Sequence, residues 1–129
     1  VGPGVRASAN CMDKITTKLL LKEAGIPVAG SVDVFRYDYE KNPGAVLDAV
    51  EQAFPYPVFV KPSGTGSSVG VSKAKTREDL NSALMHALQY DSRVLVEEFI
   101  EGREIEVAVL GTTDSPVDSV CGEIVPVTE

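Results

Sequence analysis

Val58-Phe59-Val60-Lys61-Pro62-Ser63-Gly64-Thr65-Gly66-Ser67-Ser68-Val69-Gly70-Val71 is the stretch from which the fold can be read. An apolar, β-branched run ends in a lysine and a proline, a glycine–serine loop follows, and Val69 to Val71 resume a strand pattern. Proline stops the first strand because it brings no N–H to a ladder. Glycines at 64, 66 and 70 allow positive φ and a close approach of backbone to ligand. Successive N–H groups in such a turn can form an anion site, to which Ser63, Thr65, Ser67 and Ser68 would add hydroxyls. Lys61 at the mouth would supply the charge a polyphosphate needs. The loop alone fits two readings: a phosphate-covering hairpin, or a flexible hairpin connection with an incidental lysine. It is not a Walker A loop, because the lysine precedes the glycines and a strand follows. Its glycine spacing also misses G-x-G-x-x-G by one residue.

Around this stretch lie 129 residues, 43% of them hydrophobic and 24% charged, the size and composition of one globular domain. A net charge of −7 argues against wholesale binding to nucleic acid or a membrane surface. An acidic chain that binds a polyanion must gather its few cations locally, and Lys14, Lys61 and Lys18 are the candidates. Cys11 and Cys121 are far apart, and His86 is the single histidine. These leave no metal constellation and no Ser-His-Asp set, so no metal ligands are assigned. A reduced, cytoplasmic setting is expected. No run is long enough for a membrane span, and no signal peptide is visible. Beginning on Val1, the chain reads as an excerpt of something longer.

Residues 1–10 read as a linker because of Gly2, Pro3 and Gly4. A helix is expected from about residue 11 to Ala24, with Met12, Ile15 and Leu19 as its stripe and Gly25 and Pro27 as its stop. Lys14, Lys18 and Lys22 share another face; Lys18 and Lys22 read as solvated. Lys14 sits near the helix N-terminus, where a cation is unfavourable unless an anion meets it. A strand is expected over Val28–Phe35 and a loop over Arg36–Lys41. Asn42 and Pro43 fit N-cap and N1 of a second helix carrying Val46, Ala49, Val50 and Ala53. Val69–Lys75 returns as a strand. Thr76 and Asp79 then open a third helix whose buried stripe is Leu80, Ala83, Leu84, Ala87 and Leu88, leaving Met85 and His86 on the surface. Strands follow at Val94–Ile100, Glu104–Leu110 and Val120–Val127, with a turn over Gly111–Pro116. The Lys61 loop is too short for a parallel crossover, so the fold class is α+β with a largely antiparallel sheet, similar to a split βαβ arrangement.

Taken together these segments resemble the ATP-grasp family, specifically its D-alanine–D-alanine ligases. The carrying residues are Met12-Asp13-Lys14, Ala24-Gly25-Ile26-Pro27-Val28, Phe59-Val60-Lys61-Pro62, and Gly66-Ser67-Ser68-Val69-Gly70-Val71-Ser72-Lys73. Val94-Leu95-Val96-Glu97-Glu98-Phe99 and Gly102-Arg103-Glu104-Ile105-Glu106-Val107-Ala108-Val109-Leu110-Gly111 complete them, so the likeness runs the length of the chain. It implies an ATP-grasp small subdomain over residues 1–100, an antiparallel sheet with helices on one face. Residues 101–129 would be the first strands of the larger ATP-grasp sheet.

Further implications fall on single residues. Lys14 and Lys61 would contact ATP phosphates. Ser67, Ser68 and the backbone of Gly66 and Gly70 would close over the triphosphate, with Ser67 also orienting substrate; these serines are the catalytic candidates. Glu97, Glu98, Phe99 and Ile100 would run past the adenine, reading its edge through backbone groups, with Glu97 near the exocyclic amine. The side chains of Glu98 and Glu106 read as solvated. Glu104 would accept hydrogen bonds from the ribose. The implied reaction joins two D-alanines through an acylphosphate for the peptidoglycan precursor, in a parent enzyme that is commonly a homodimer.

No Asp/Glu-x-Asn motif occurs near the end of the sequence, so the Mg²⁺ ligands are expected beyond Glu129 and the substrate domain before Val1. The chain alone is expected to fold around its first hundred residues, to bind ATP weakly and to be unable to ligate. Two rivals remain: another ATP-grasp carboxylate–amine ligase or carboxylase, and a non-catalytic nucleotide-binding module.

Overall fold

A computed structural model describes residues 2–125. The chain divides into two compact units, Val1–Phe99 and Ile100–Glu129. In the first, the elements are α1 (Val5–Met12), α2 (Lys14–Glu23), β1 (Ser31–Phe35), α3 (Arg36–Lys41), α4 (Pro43–Ala53), β2 (Val58–Pro62), β3 (Ser72–Ala74), α5 (Arg77–Ala87) and β4 (Arg93–Glu98). The four strands form one sheet in the order β1-β4-β2-β3, and every neighbouring pair is antiparallel. The fold class is thus α+β, as the short Lys61 loop demands.

Register decides what each face carries. Val60 lies opposite Val96 and Pro62 opposite Val94, while Lys61 lies opposite Leu95 and Phe59 opposite Glu97. Because side chains alternate, Val34, Val58, Val60, Val94 and Val96 share one face. They join Leu47 and Val50 of α4 and Leu80, Ala83, Leu84 and Ala87 of α5 in the core. Burying one Leu or Val fully contributes about 1.5–3 kcal/mol, so this face carries most of the unit's stability. The other face carries Phe59, Lys61, Leu95 and Glu97. Leu95 and Ile15 are buried but stand apart from the main core, and Lys18 of α2 reaches Glu97. Helices α4 and α5 pack on the first face, and α2 meets the second through Lys18 and Glu97.

Capping residues set the helix bounds. Asn42 accepts from Ala45 N–H at 3.1 Å, with Pro43 next to it at N1. The Thr76 side chain accepts from Asp79 N–H at 3.1 Å, and Asp79 accepts from Lys75 N–H at 3.0 Å. We expect Thr76→Ala to cost about 1 kcal/mol, the usual worth of such a cap. A urea midpoint identical to the parent's would refute the cap's role. Helix α2 ends in a Schellman motif: Ile26 N–H donates to Leu21 O and Gly25 N–H to Lys22 O, with Gly25 at φ 73°.

Several local expectations fail, among them the bounds of two strands: β1 begins at Ser31 rather than Val28, and β3 covers Ser72–Ala74 rather than Val69–Lys75. Residues 5–10 are helical rather than a linker, and the break falls at Asp13 (φ −98°, ψ 107°), whose carboxylate caps α2. Met12 and Leu19 are each 59% exposed, so of that stripe only Ile15 is buried. Arg36–Lys41 is a helix held by Tyr39, which is buried and donates to Asn81 Oδ1 at 2.7 Å; one buried residue in six leaves no periodic signal. In α4, Leu47 is buried where Ala49 and Ala53 are exposed. Met85 and His86 are exposed, as read.

In the second unit, β5 (Glu104–Glu106) pairs with β8 (Gly122–Ile124), and β6 (Val109–Thr112) forms a hairpin with β7 (Ser115–Asp118). The single strand expected over 104–110 is split at Val107 and Ala108. The last strand is shorter than Val120–Val127, and residues 126 and 127 of that expectation lie outside the described residues.

Candidate functional site

The end of β2 and the loop after it are held from both sides. Ser63 is fully buried: its hydroxyl donates to Asp13 Oδ1 at 2.8 Å and accepts from Ile15 N–H at 3.2 Å. Its backbone accepts from Lys14 N–H and donates to Arg93 O. Asp13 also meets the Arg93 guanidinium. Burial alone would raise the Asp13 carboxyl, but hydrogen bonds from Thr16, Ser63 and Arg93 and the Arg93 charge hold it below its ordinary value. Asp91 takes Gly64 N–H at 2.7 Å. Ser63 is therefore a joint between α2, β4 and the loop, not a hydroxyl offered to a ligand. Thr65 is likewise engaged, donating to Val69 O at 3.0 Å.

The loop turns on its serines rather than on most of its glycines. Ser67 and Ser68 take φ of 51° and 58°, and Gly70 takes 74°. Gly64 and Gly66 do not, so the conformational freedom expected of all three glycines is needed only at Gly70. Two consecutive non-glycine residues in the left-handed region cost about 1–2 kcal/mol each. Val69 N–H to Gly66 O and Val71 N–H to Ser68 O, both 3.1 Å, hold the turn. Ser67 and Ser68 are left exposed at its tip.

Three lysines converge at the root of this loop. Lys14 sends its ammonium into the loop's own carbonyls, donating to Pro62 O at 3.0 Å, Ser63 O at 3.4 Å and Thr65 O at 2.5 Å. Those carbonyls are what make a lysine tolerable at the first position of α2. Burial, and next the neighbouring Lys61, push the Lys14 amine below its ordinary value. An anion arriving here would reverse that shift by stabilising the charged form. Lys61 meets Glu97 Oε2. Lys18, read from sequence as solvated, lies 2.8 Å from Glu97 Oε1 and donates to Ala29 O at 2.6 Å. Burial alone would raise the Glu97 carboxyl, but the two lysines outweigh it and hold it below its ordinary value. A cleft of about 370 Å³ opens beside this group, with Lys14, Lys18 and Glu97 in its wall and Leu21 and Val28 as apolar lining.

Other named residues fall as follows. Glu98 is not solvated; its Oε1 accepts from Gly30 N–H at 2.6 Å, closing the edge between β1 and β4. Phe99 stands 6.1 Å from Phe59, ring to ring, and Lys73 Nζ lies 4.4 Å from the Phe99 ring centre. Glu104 and Glu106 are exposed on β5, and Ile100 opens the second unit. Among the described residues no group of three or more His, Cys, Asp or Glu could hold a metal ion. Nor is any described helix long and apolar enough to cross a membrane.

Comparison with known proteins gives this geometry a relative. Residues 20–129 match the family model described as D-ala D-ala ligase C-terminus. The D-alanine–D-alanine ligase of Acetivibrio thermocellus is 53% identical over 126 residues, which cover 98% of this chain and 33% of that protein. The D-alanine–D-alanine ligase structure from Coxiella burnetii superposes with a TM-score of 0.82 at 39% identity, covering 97% of this chain and 36% of that one. The VanG D-Ala:D-Ser ligase structure from Enterococcus faecalis gives 0.80 at 38% identity, covering 90% and 32%. The chain spans about a third of the length of the relatives it matches. With an antiparallel sheet ending in Lys61-Pro62, a serine loop above it and this match across most of its residues, the chain belongs to the D-alanine–D-alanine ligase family, an ATP-grasp family.

Proposed function

We propose that this chain forms the phosphate side of the ATP site in a ligase that joins two D-alanines for the peptidoglycan precursor. The observation that carries the reading is the gathering of Lys14, Lys18 and Lys61 at the root of the loop that carries Ser67 and Ser68, in a chain whose net charge is −7. Cations concentrated against the overall charge, beside exposed hydroxyls, suit a triphosphate. Residues 1–100 act as the small ATP-grasp subdomain and 101–129 open the larger one. Lys61 and Lys14 neutralise phosphate oxygens. Ser67, Ser68 and the Gly66 and Gly70 backbone cover them, Ser67 also facing substrate. Glu97 to Ile100 pass the adenine and Glu104 takes the ribose. ATP supplies the phosphoryl group that turns one D-alanine carboxylate into an acylphosphate, and the covering loop keeps water from it. Among the described residues no group of carboxylates could hold Mg²⁺, and its ligands belong to other parts of the parent enzyme. That parent is read as a cytoplasmic homodimer.

The test is a chimera. This sequence replaces the matching 126 residues of the Acetivibrio thermocellus relative, and ADP release is followed with D-alanine, D-serine, D-lactate or bicarbonate. D-alanine-dependent release is expected. A folded chimera that hydrolyses ATP regardless of D-alanine, or not at all, overturns the reading. Release that depends only on D-serine would move it to the acceptor named for VanG.

A further inference from the structure

We propose that Lys18 is a positioning residue for the nucleotide site: by occupying one oxygen of Glu97, it leaves Lys61 on the other with a net charge to offer an anion. The inference rests on the ATP reading above. Glu97 is one carboxylate between two ammoniums, with Lys18 at 2.8 Å on Oε1 and Lys61 on Oε2. Lys18 and Glu97 side chains are each 12% exposed, whereas that of Lys61 is 30% exposed. The buried lysine is therefore the internal partner, and the open one can face a ligand. Lys18 is fixed further by Ala29 O at 2.6 Å.

The charge count is what makes Lys18 matter. A lone Lys61–Glu97 pair would be neutral, and an arriving phosphate would have to compete with Glu97 for Lys61. With Lys18 the triad carries one net positive charge, and Lys14 beside it adds another. The partially desolvated setting makes that charge felt more strongly than at an exposed site. Nothing in the sequence pattern marks Lys18 for this role, because its face also carries Lys14 and Lys22.

The experiment compares ATP with adenosine, titrated calorimetrically into the chain and its variants. A charge-setting role must weaken ATP and spare adenosine, whereas a purely structural role weakens both. Lys18→Met is expected to lose roughly three- to ten-fold in ATP affinity, with adenosine unchanged. Lys18→Arg should keep the parent's preference. The double variant Lys18→Met with Glu97→Gln should regain the parent's ratio of ATP to adenosine affinity, because removing the carboxylate charge frees Lys61; what Glu97 contributes beside the adenine falls on both ligands and cancels in that ratio. In that double variant the charge left without its carboxylate is that of Lys61, the more exposed of the two lysines, so it carries the comparison should Lys18→Met fail to fold. Equal losses for both ligands, or no recovery in the double variant, overturn the role of Lys18 while leaving the ATP reading intact. A folded parent chain that shows no preference for ATP over adenosine overturns the ATP reading, and the role of Lys18 with it.

Discussion

Lys61→Met is expected to weaken ATP binding by about 30- to 150-fold, the scale of losing one charge-assisted hydrogen bond worth roughly 2–3 kcal/mol. Lys61 stands at the end of β2, and of the Lys18–Glu97–Lys61 group it is the lysine most open to a ligand. Methionine keeps an unbranched stem beside Phe59, over whose ring the Lys61 ammonium lies at 5.6 Å. The loss should thus be electrostatic rather than a collapse of packing. The variant also carries a pH signature. In the parent, Glu97 is held below its ordinary value of 4.5. A carboxyl depressed on folding adds stability that is present above the ordinary value and is lost as pH falls through the depressed one. Without Lys61 one of the two depressing partners is gone, so the variant's acid unfolding should begin at higher pH. Calorimetric titration with ATP and a circular-dichroism pH scan check both. An unchanged dissociation constant would mean that Lys61 serves Glu97 alone.

Much of this was legible before the structure. The antiparallel sheet followed from the Lys61 loop being too short for a crossover, and helix α5 from five apolar positions at helical spacing behind Thr76. Both signals are local, which is why they could be read. The failures at the site are non-local. Lys18 looks solvated in a helix of three evenly spaced lysines, and only its pairing with a strand residue 79 positions on reveals its partner. Ser63 looked like one more loop hydroxyl, yet it is buried against Asp13 and Ile15, some fifty residues earlier. Glu98 looked solvated until its bond to Gly30 was seen. Sequence singled out the phosphate candidates Lys14 and Lys61 on separate segments of chain. It could not show that Lys14 spends its donors on the loop's carbonyls, because carbonyl direction is set by the fold.

The two glycines flanking the serine pair should respond oppositely to substitution, and the contrast tests whether the turn is as fixed as the proposed site requires. Gly70 sits at φ 74°, and a Cβ built there would lie 2.7 Å from Pro62 Cγ and 2.8 Å from Tyr90 Cδ2. Pro62 is fully buried in the β2 ladder and cannot retreat without disturbing it. Gly70→Val combines a left-handed backbone cost of about 1–2 kcal/mol with an overpacking cost of about 1–3 kcal/mol, so about 3–5 kcal/mol is expected once β-branching is added. Gly66 has ordinary φ and nothing within 4 Å of its Cβ position. Gly66→Ala should stay within about 0.5 kcal/mol of the parent. Urea unfolding of both variants measures the difference. A loop that relaxes freely would let Gly70→Val through at under about 1 kcal/mol, and Ser67 and Ser68 would then have no fixed place from which to cover a phosphate. A large loss at Gly70 beside none at Gly66 means that the turn is held by Pro62 and Tyr90, and that the serines are presented at its tip by the fold itself.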